Sequence, residues 1–263
     1  MWYLILGAGN LLLLVFALIF LLPRSYIKKI SKVPLLLIQG LKKQFLPVSI
    51  IIGVVAFHLI EVKYIDPIVT NWVGYDYANS IVNIENGIVY WFSQNWSPIL
   101  LYFFVTIYIV IYPFTLWFSP LYFIIDNKKN AIKSLAYGLL IIYIIALPFY
   151  LFLPITNVYT FYNADSALET AIPEIEKFFY STTTQNNCLP SLHTAMTILV
   201  AYSLSLTGNK KLKYFGYFVM ISVIISVIYL SIHWITDVIT GCIIAIVTIF
   251  LLRRYILKAE KHE

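Results

Sequence analysis

Asn186-Asn187-Cys188-Leu189-Pro190-Ser191-Leu192-His193-Thr194 and Ser231-Ile232-His233-Trp234-Ile235-Thr236-Asp237 are the two stretches on which the reading of this chain turns. Each begins polar and runs directly into an apolar helix. Each puts a histidine where that helix meets water. The chain has only four histidines, and two of them are here. The surrounding sequence reads as a scaffold that brings the two together.

That scaffold is a membrane one. Of 263 residues, 61% are hydrophobic and only 11% charged, where a soluble domain of ordinary composition carries about a quarter charged residues. The apolar runs lack the short alternating pattern of an outer-membrane barrel. The expected fold is therefore an all-α integral membrane protein, a polytopic helical bundle with about seven transmembrane helices. The runs are Trp2–Leu22, Phe45–Val62, Ile99–Ile125, Leu135–Leu153, Leu192–Leu206, Tyr214–Ile232 and Ile235–Leu252, with Phe45–Val62 and Leu192–Leu206 the shortest. The first run lacks a basic n-region and a small-residue cleavage site, so it reads as a retained span and not a signal peptide. Residues 1–263 read as one membrane domain. Its two N-terminal spans, residues 1–62, are an addition to a five-span catalytic core at 97–252. Cys242 falls inside a span and Cys188 in a loop, so no disulfide is expected.

The basic residues set the orientation. Arg24, Lys28, Lys29, Lys32, Lys42 and Lys43 lie between spans one and two. Lys128, Lys129 and Lys133 lie between three and four, and Lys210, Lys211 and Lys213 between five and six. Arg253, Arg254, Lys258 and Lys261 follow span seven. These are sixteen of the eighteen basic residues; only Lys63 and Lys177 fall on the other face. By the positive-inside rule the N-terminus is outside, the C-terminus is cytoplasmic, and both histidine stretches face outward from a cell membrane. The net charge of +6 follows this topology and does not point to nucleic acid. The two outer loops are rich in aromatics (Trp72, Trp91, Trp96, and Tyr159 to Tyr162), which prefer the headgroup level. Asp165 to Phe179 reads as an amphipathic helix with Leu168, Ile172, Ile175 and Phe179 on one face, either an ordinary interfacial helix or a wall over an outward-facing site.

The polar stretches carry the chemistry. Pro190 suits a helix start and Ser191 suits its cap. The free N–H groups and the positive dipole end then form an anion site with His193 in the first turn. His233 and Asp237, at i and i+4, would share one helix face. A carboxylate there holds one ring nitrogen as N–H and leaves the other as a lone-pair nucleophile. The His, Cys, Asp and Glu residues show no metal-ligand spacing. His58, inside span two, reads as a bundle-facing residue, and His262 as part of a solvated tail.

Together the two stretches resemble the type 2 phosphatidic acid phosphatase superfamily, whose motifs are KxxxxxxRP, PSGH and SRxxxxxHxxxD. Pro190-Ser191-Leu192-His193 matches the second, with Leu192 in place of glycine. Ser226, His233 and Asp237 match the third, with Val227 where arginine is expected. The first motif has no match. The PSLH and HxxxD pattern is similar to the branch that includes inositol phosphorylceramide synthase. The resemblance covers roughly residues 153–252.

It implies that His233 attacks phosphorus and forms a phosphohistidine, with Asp237 orienting it. His193 would be general acid for the leaving alkoxide, then general base for water or an alcohol. Ser191, Leu192 and the adjoining N–H groups would hold phosphate oxygens. With the motif's basic residues missing, Lys177 is the substitute cation and Lys63 a weaker one, while Asn186, Asn187, Tyr159 and Tyr162 are neutral donors. The route uses no metal and no cofactor. The reading is a hydrolase acting on a lipid phosphate or a polyprenyl or dolichyl (pyro)phosphate at the outer leaflet. Behind it stand a phosphotransferase moving a phospho-headgroup, such as inositol phosphate, onto a lipid alcohol, and a degenerate lipid-binding or transport protein.

Overall fold

A computed structural model describes residues 2–257, so Lys258, Lys261 and His262 lie outside the described residues. Among the described residues, six helices are long and apolar enough to cross a membrane. In chain order the first helices are α1 (Trp2–Leu21), a short α2 (Val33–Lys43) and α3 (Phe45–Val73). Two short helices follow, α4 (Ala78–Glu85) and α5 (Ile88–Gln94), and then the long apolar helices α6 (Pro98–Ile125) and α7 (Lys129–Phe152). Next come three short helices, α8 (Val158–Phe161), α9 (Ala167–Ala171) and α10 (Ile175–Phe179). The chain then returns through α11 (Leu192–Ser205), α12 (Lys210–Tyr229) and α13 (Ile235–Ile256).

The spanning helices present large apolar side chains outward, among them Leu4, Leu11 and Leu12 on α1, Ile52 on α3, Ile99 on α6 and Ile243 on α13. A soluble protein does not expose apolar surface on this scale. In lipid such helices satisfy every backbone group internally.

The helix that carries His193 is the exception. α11 has 14 residues, about 21 Å at 1.5 Å per residue, against a hydrocarbon core of about 30 Å. It is the hub of the bundle, packed against α7, α12 and α13. Its flanks meet protein, so the lipid thickness alone does not set its length. Thr194, Thr197 and Ser203 are buried along it. α7 approaches closely at Gly138, where an added Cβ would collide with the Leu199 side chain.

Three expectations about local structure need correction. The second span does not stop at Val62: α3 continues to Val73 through a π-helical turn at Glu61–Ile65. The charges that suggested a loop are accommodated inside the bundle. Tyr143 donates to Glu61 Oε2 at 3.1 Å, and His58 Nδ1 lies 3.5 Å from the same oxygen. Lys63 is therefore a helix residue, exposed, with its ammonium 5.2 Å from the Tyr64 ring.

The expected amphipathic helix from Asp165 to Phe179 is broken in two. Pro173 disfavours helical backbone at the preceding residue, and Ile172 is extended, with Glu174 following at a φ of +67°. Leu168, Ile172 and Ile175 are still all buried, so the apolar face survives the break. Finally, His233 is not on the helix of Asp237. α12 ends at Tyr229, Ser231 takes a φ of +57°, and α13 begins only at Ile235. Cys188 and Cys242 are both free.

Candidate active site

The site is built where the starts of α11 and α13 meet. Ser191 caps α11, its Oγ accepting the Thr194 N–H at 3.3 Å, as its residue type foretells. The Ser191 N–H donates to the Asp237 carbonyl at 3.0 Å, and the Tyr150 hydroxyl donates to the Pro190 carbonyl at 2.7 Å. A Cβ on Gly241 would sit 2.6 Å from the Ser191 carbonyl oxygen, so only glycine lets α13 come this close.

The first turn of α13 has its free N–H groups taken by two carboxylates. Asp237 Oδ2 accepts from Trp234 at 2.9 Å. Glu85, at the end of α4, accepts from Ile235 at 3.1 Å and Thr236 at 2.6 Å. Both acids lie where the helix dipole favours them. Trp234, fully buried, donates its Nε1–H to the Thr156 carbonyl at 2.9 Å and anchors the outer segments over the site.

These supports hold a chain of polar side chains. The hydroxyl of Tyr108, on α6, lies 2.9 Å from His193 Nε2. His193 Nδ1 lies 3.2 Å from His233 Nε2, and His233 Nδ1 lies 3.2 Å from Asp237 Oδ2. One set of donors satisfies every link: Tyr108 O–H to His193, His193 Nδ1–H to His233, and His233 Nδ1–H to the carboxylate. In this arrangement His233 Nε2 carries the lone pair and faces His193. Burial pulls the His233 pKa down from 6.5 to about 3, which keeps that ring neutral and nucleophilic. Asp237 is fully buried, and its Oδ1 has no partner among the described residues.

The His233–Asp237 pairing thus forms at the foretold spacing but by another geometry. His233 precedes the helix, Trp234 is its N-cap, and Asp237 reaches back from the third helical position. The four-residue spacing reports a cap, not a shared helix face.

The proposed phosphate ligands fare differently. Ser191 is fully buried at the cap, with Leu192 and His193 opening the helix behind it. The Asn187 side chain neighbours the Asp66 carboxylate. Lys177 is 80% exposed and its ammonium pairs with Glu174 at 3.4 Å. Tyr159 donates to Glu176 at 2.8 Å and touches the Tyr180 hydroxyl. Tyr162 stacks on Tyr90, with centroids 4.1 Å apart.

Sequence reasoning missed the aromatic wall around His193. The rings of Tyr108, Tyr112 and Phe179 lie 5.0, 5.6 and 6.3 Å from it. Tyr hydroxyls at i and i+4 in a buried span need polar partners, and that was the available signal. Spacing also concealed a grouping of Cys188, His233 and Asp237, whose ligand atoms fall within 4.8 Å of one another. A metal ion there would displace the proton that orients His233.

A family model described as the PAP2 superfamily matches residues 79–251. No curated protein and no solved structure matches the chain. The matched residues run from the outer helix α4 through Pro190-Ser191-Leu192-His193 and His233 to Asp237 and on into α13, and the chain belongs to the PAP2 superfamily.

Proposed function

We propose that the protein is a membrane phosphohydrolase that cleaves a lipid phosphate, or a polyprenyl or dolichyl (pyro)phosphate, at the outer leaflet through a phosphohistidine on His233. Family membership supports phosphatase-type phosphoryl transfer. The observation that carries the assignment of roles is the unbroken chain from His193 through His233 to Asp237. His233 Nε2 attacks phosphorus; a P–N bond forms and the P–O bond to the lipid breaks. His193 takes a second proton, at Nε2, from the bound phosphate group as the substrate enters, the Tyr108 hydroxyl turning to accept from it, and the leaving oxygen then takes the Nδ1 proton. His193, now neutral, accepts a proton from water as the water oxygen attacks phosphorus. The P–N bond breaks, phosphate departs, and the lone pair returns to His233. Asp237 stabilises the positive charge on His233 throughout.

The orientation read from the basic residues places this site outside, with seven crossings if α11 is counted as one. Aromatic loops at the headgroup level favour a lipid over a soluble ester.

One observation favours a second reading. Lys63 and Lys177, the two cations expected on this face, are both exposed, and Lys177 pairs with Glu174. A phosphodiester with one negative charge asks less of the site than a dianionic monoester. Transfer of a phospho-headgroup, such as inositol phosphate, to a lipid alcohol would use the same histidines.

The test compares substrates. Purified protein is given lipid phosphates with and without an acceptor alcohol, and an activated aryl phosphate. His193→Ala is expected to cripple the lipid substrate by about 10²- to 10⁴-fold and to spare the first-turnover release of the aryl leaving group, which needs no proton, while hydrolysis of the phosphoenzyme slows. Released phosphate supports hydrolysis, and a new phospholipid supports transfer. Wild-type protein inert on every substrate would point to the lipid-binding or transport alternative.

A further inference from the structure

The family match begins at residue 79, yet the catalytic loop is held from outside that boundary. Asp66 lies in the extension of α3, 2% exposed. Its Oδ1 accepts from the Thr70 hydroxyl at 3.3 Å. The Thr70 hydroxyl oxygen in turn accepts from the Asn186 amide at 3.0 Å. The Asn187 side chain is a polar neighbour of the Asp66 carboxylate. The loop that leads into His193 is therefore tied through Asn186 and Thr70 to one acid on the second span, with Asn187 beside it.

The backbone of the same loop is held independently. Ile155 donates to the Asn186 carbonyl at 2.7 Å, and Asn157 to the Gln185 carbonyl at 2.8 Å. Those bonds fix the loop along the chain before α8. They leave its position relative to α3 to the side chains. Three residues separate Asn187 from Ser191, whose carbonyl sits against Gly241, and His193 follows two residues later. A shift of the loop at Asn186 and Asn187 is transmitted to the first turn of α11, where His193 must stay within reach of both Tyr108 and His233.

We infer that Asp66 is a positioning residue for the reaction: through Thr70, Asn186 and Asn187 it sets the catalytic loop and with it the placement of His193. The N-terminal spans then complete the active site instead of merely preceding it. This rests on His193 being the proton donor, so the experiment separates the two ideas. Asp66→Ala, Asn187→Ala, the double variant and His193→Ala are assayed with a lipid phosphate and with an activated aryl phosphate, each variant first checked for an unchanged melting temperature.

A misplaced catalytic group costs on the order of 10- to 100-fold. Asp66→Ala is expected to lower kcat by that factor on the lipid phosphate, with KM unchanged and the first-turnover burst of aryl release within about threefold of wild type. The double variant should be no worse than the poorer single one, because both act through the same link. Equal losses on both substrates, or losses that multiply in the double variant, would overturn the inference while leaving His193 as the acid. If His193→Ala itself shows no dependence on the leaving group, the proposed mechanism fails first. Should Asp66→Ala not fold, Asn186→Ala with Asn187→Ala removes the same link from the loop side and must show the same leaving-group pattern.

Discussion

Asp237 Oδ2 accepts from both the Trp234 backbone and His233, so one carboxylate oxygen fixes the start of a helix and the orientation of the His233 ring together. Asp237→Asn preserves volume but presents either a donor or a neutral acceptor to His233. It is expected to keep the fold and lose on the order of 10³- to 10⁴-fold in kcat through the wrong tautomer. Tyr108→Phe removes the hydrogen bond to His193 Nε2 at no cost in shape and should lower kcat on the lipid substrate about tenfold. The pH profile with an aryl phosphate isolates the nucleophile. The folded pKa of His233 lies below its ordinary value, so the neutral ring persists as pH falls through 6.5 and is lost only near 3. The acid limb of kcat/KM for that substrate should lie below about pH 5. An acid limb near 6.5 would mean that the nucleophile is an ordinary, solvated imidazole.

At the scale of elements, the contact between the starts of α11 and α13 decides the geometry. Gly241→Ala puts a methyl group 2.6 Å from the Ser191 carbonyl oxygen. Forcing the helices apart should cost about 1–3 kcal/mol, read as a lower melting temperature, with a fall in kcat beyond what the lost stability explains. Much at this scale was legible in the sequence. Ser191 reads as a cap and is one, and the His233-to-Asp237 spacing places a real contact. Other features were hidden for physical reasons. The charges of Lys63 and Asp66 mimic a loop: Lys63 is exposed beside Tyr64, and Asp66 is held through Thr70 by Asn186, about 120 residues further on. Pro173 did carry the break between α9 and α10, but the apolar spacing around it outweighed that signal. Tyr108 meets His193 from 85 residues away, and no local pattern announces such a contact.

For the molecule as a whole, the segregation of basic residues makes a direct prediction. Lys177 and Lys210 are both exposed, and they lie on opposite faces in the proposed topology. In intact cells, Lys177→Cys should react with a membrane-impermeant thiol reagent and Lys210→Cys should not; Cys188, 4% exposed, contributes little background. The reverse pattern would turn the active site to the cytoplasm. The central claim is chemical: the bundle exists to make His233 a nucleophile that carries phosphorus through the reaction. It is tested most directly by quenching turnover of a phosphorus-labelled substrate and locating label stable to base but not to acid. The account predicts label on His233, absent in His233→Ala and accumulating in His193→Ala when the aryl substrate is used. Label on His193, or label that survives in His233→Ala, would contradict it.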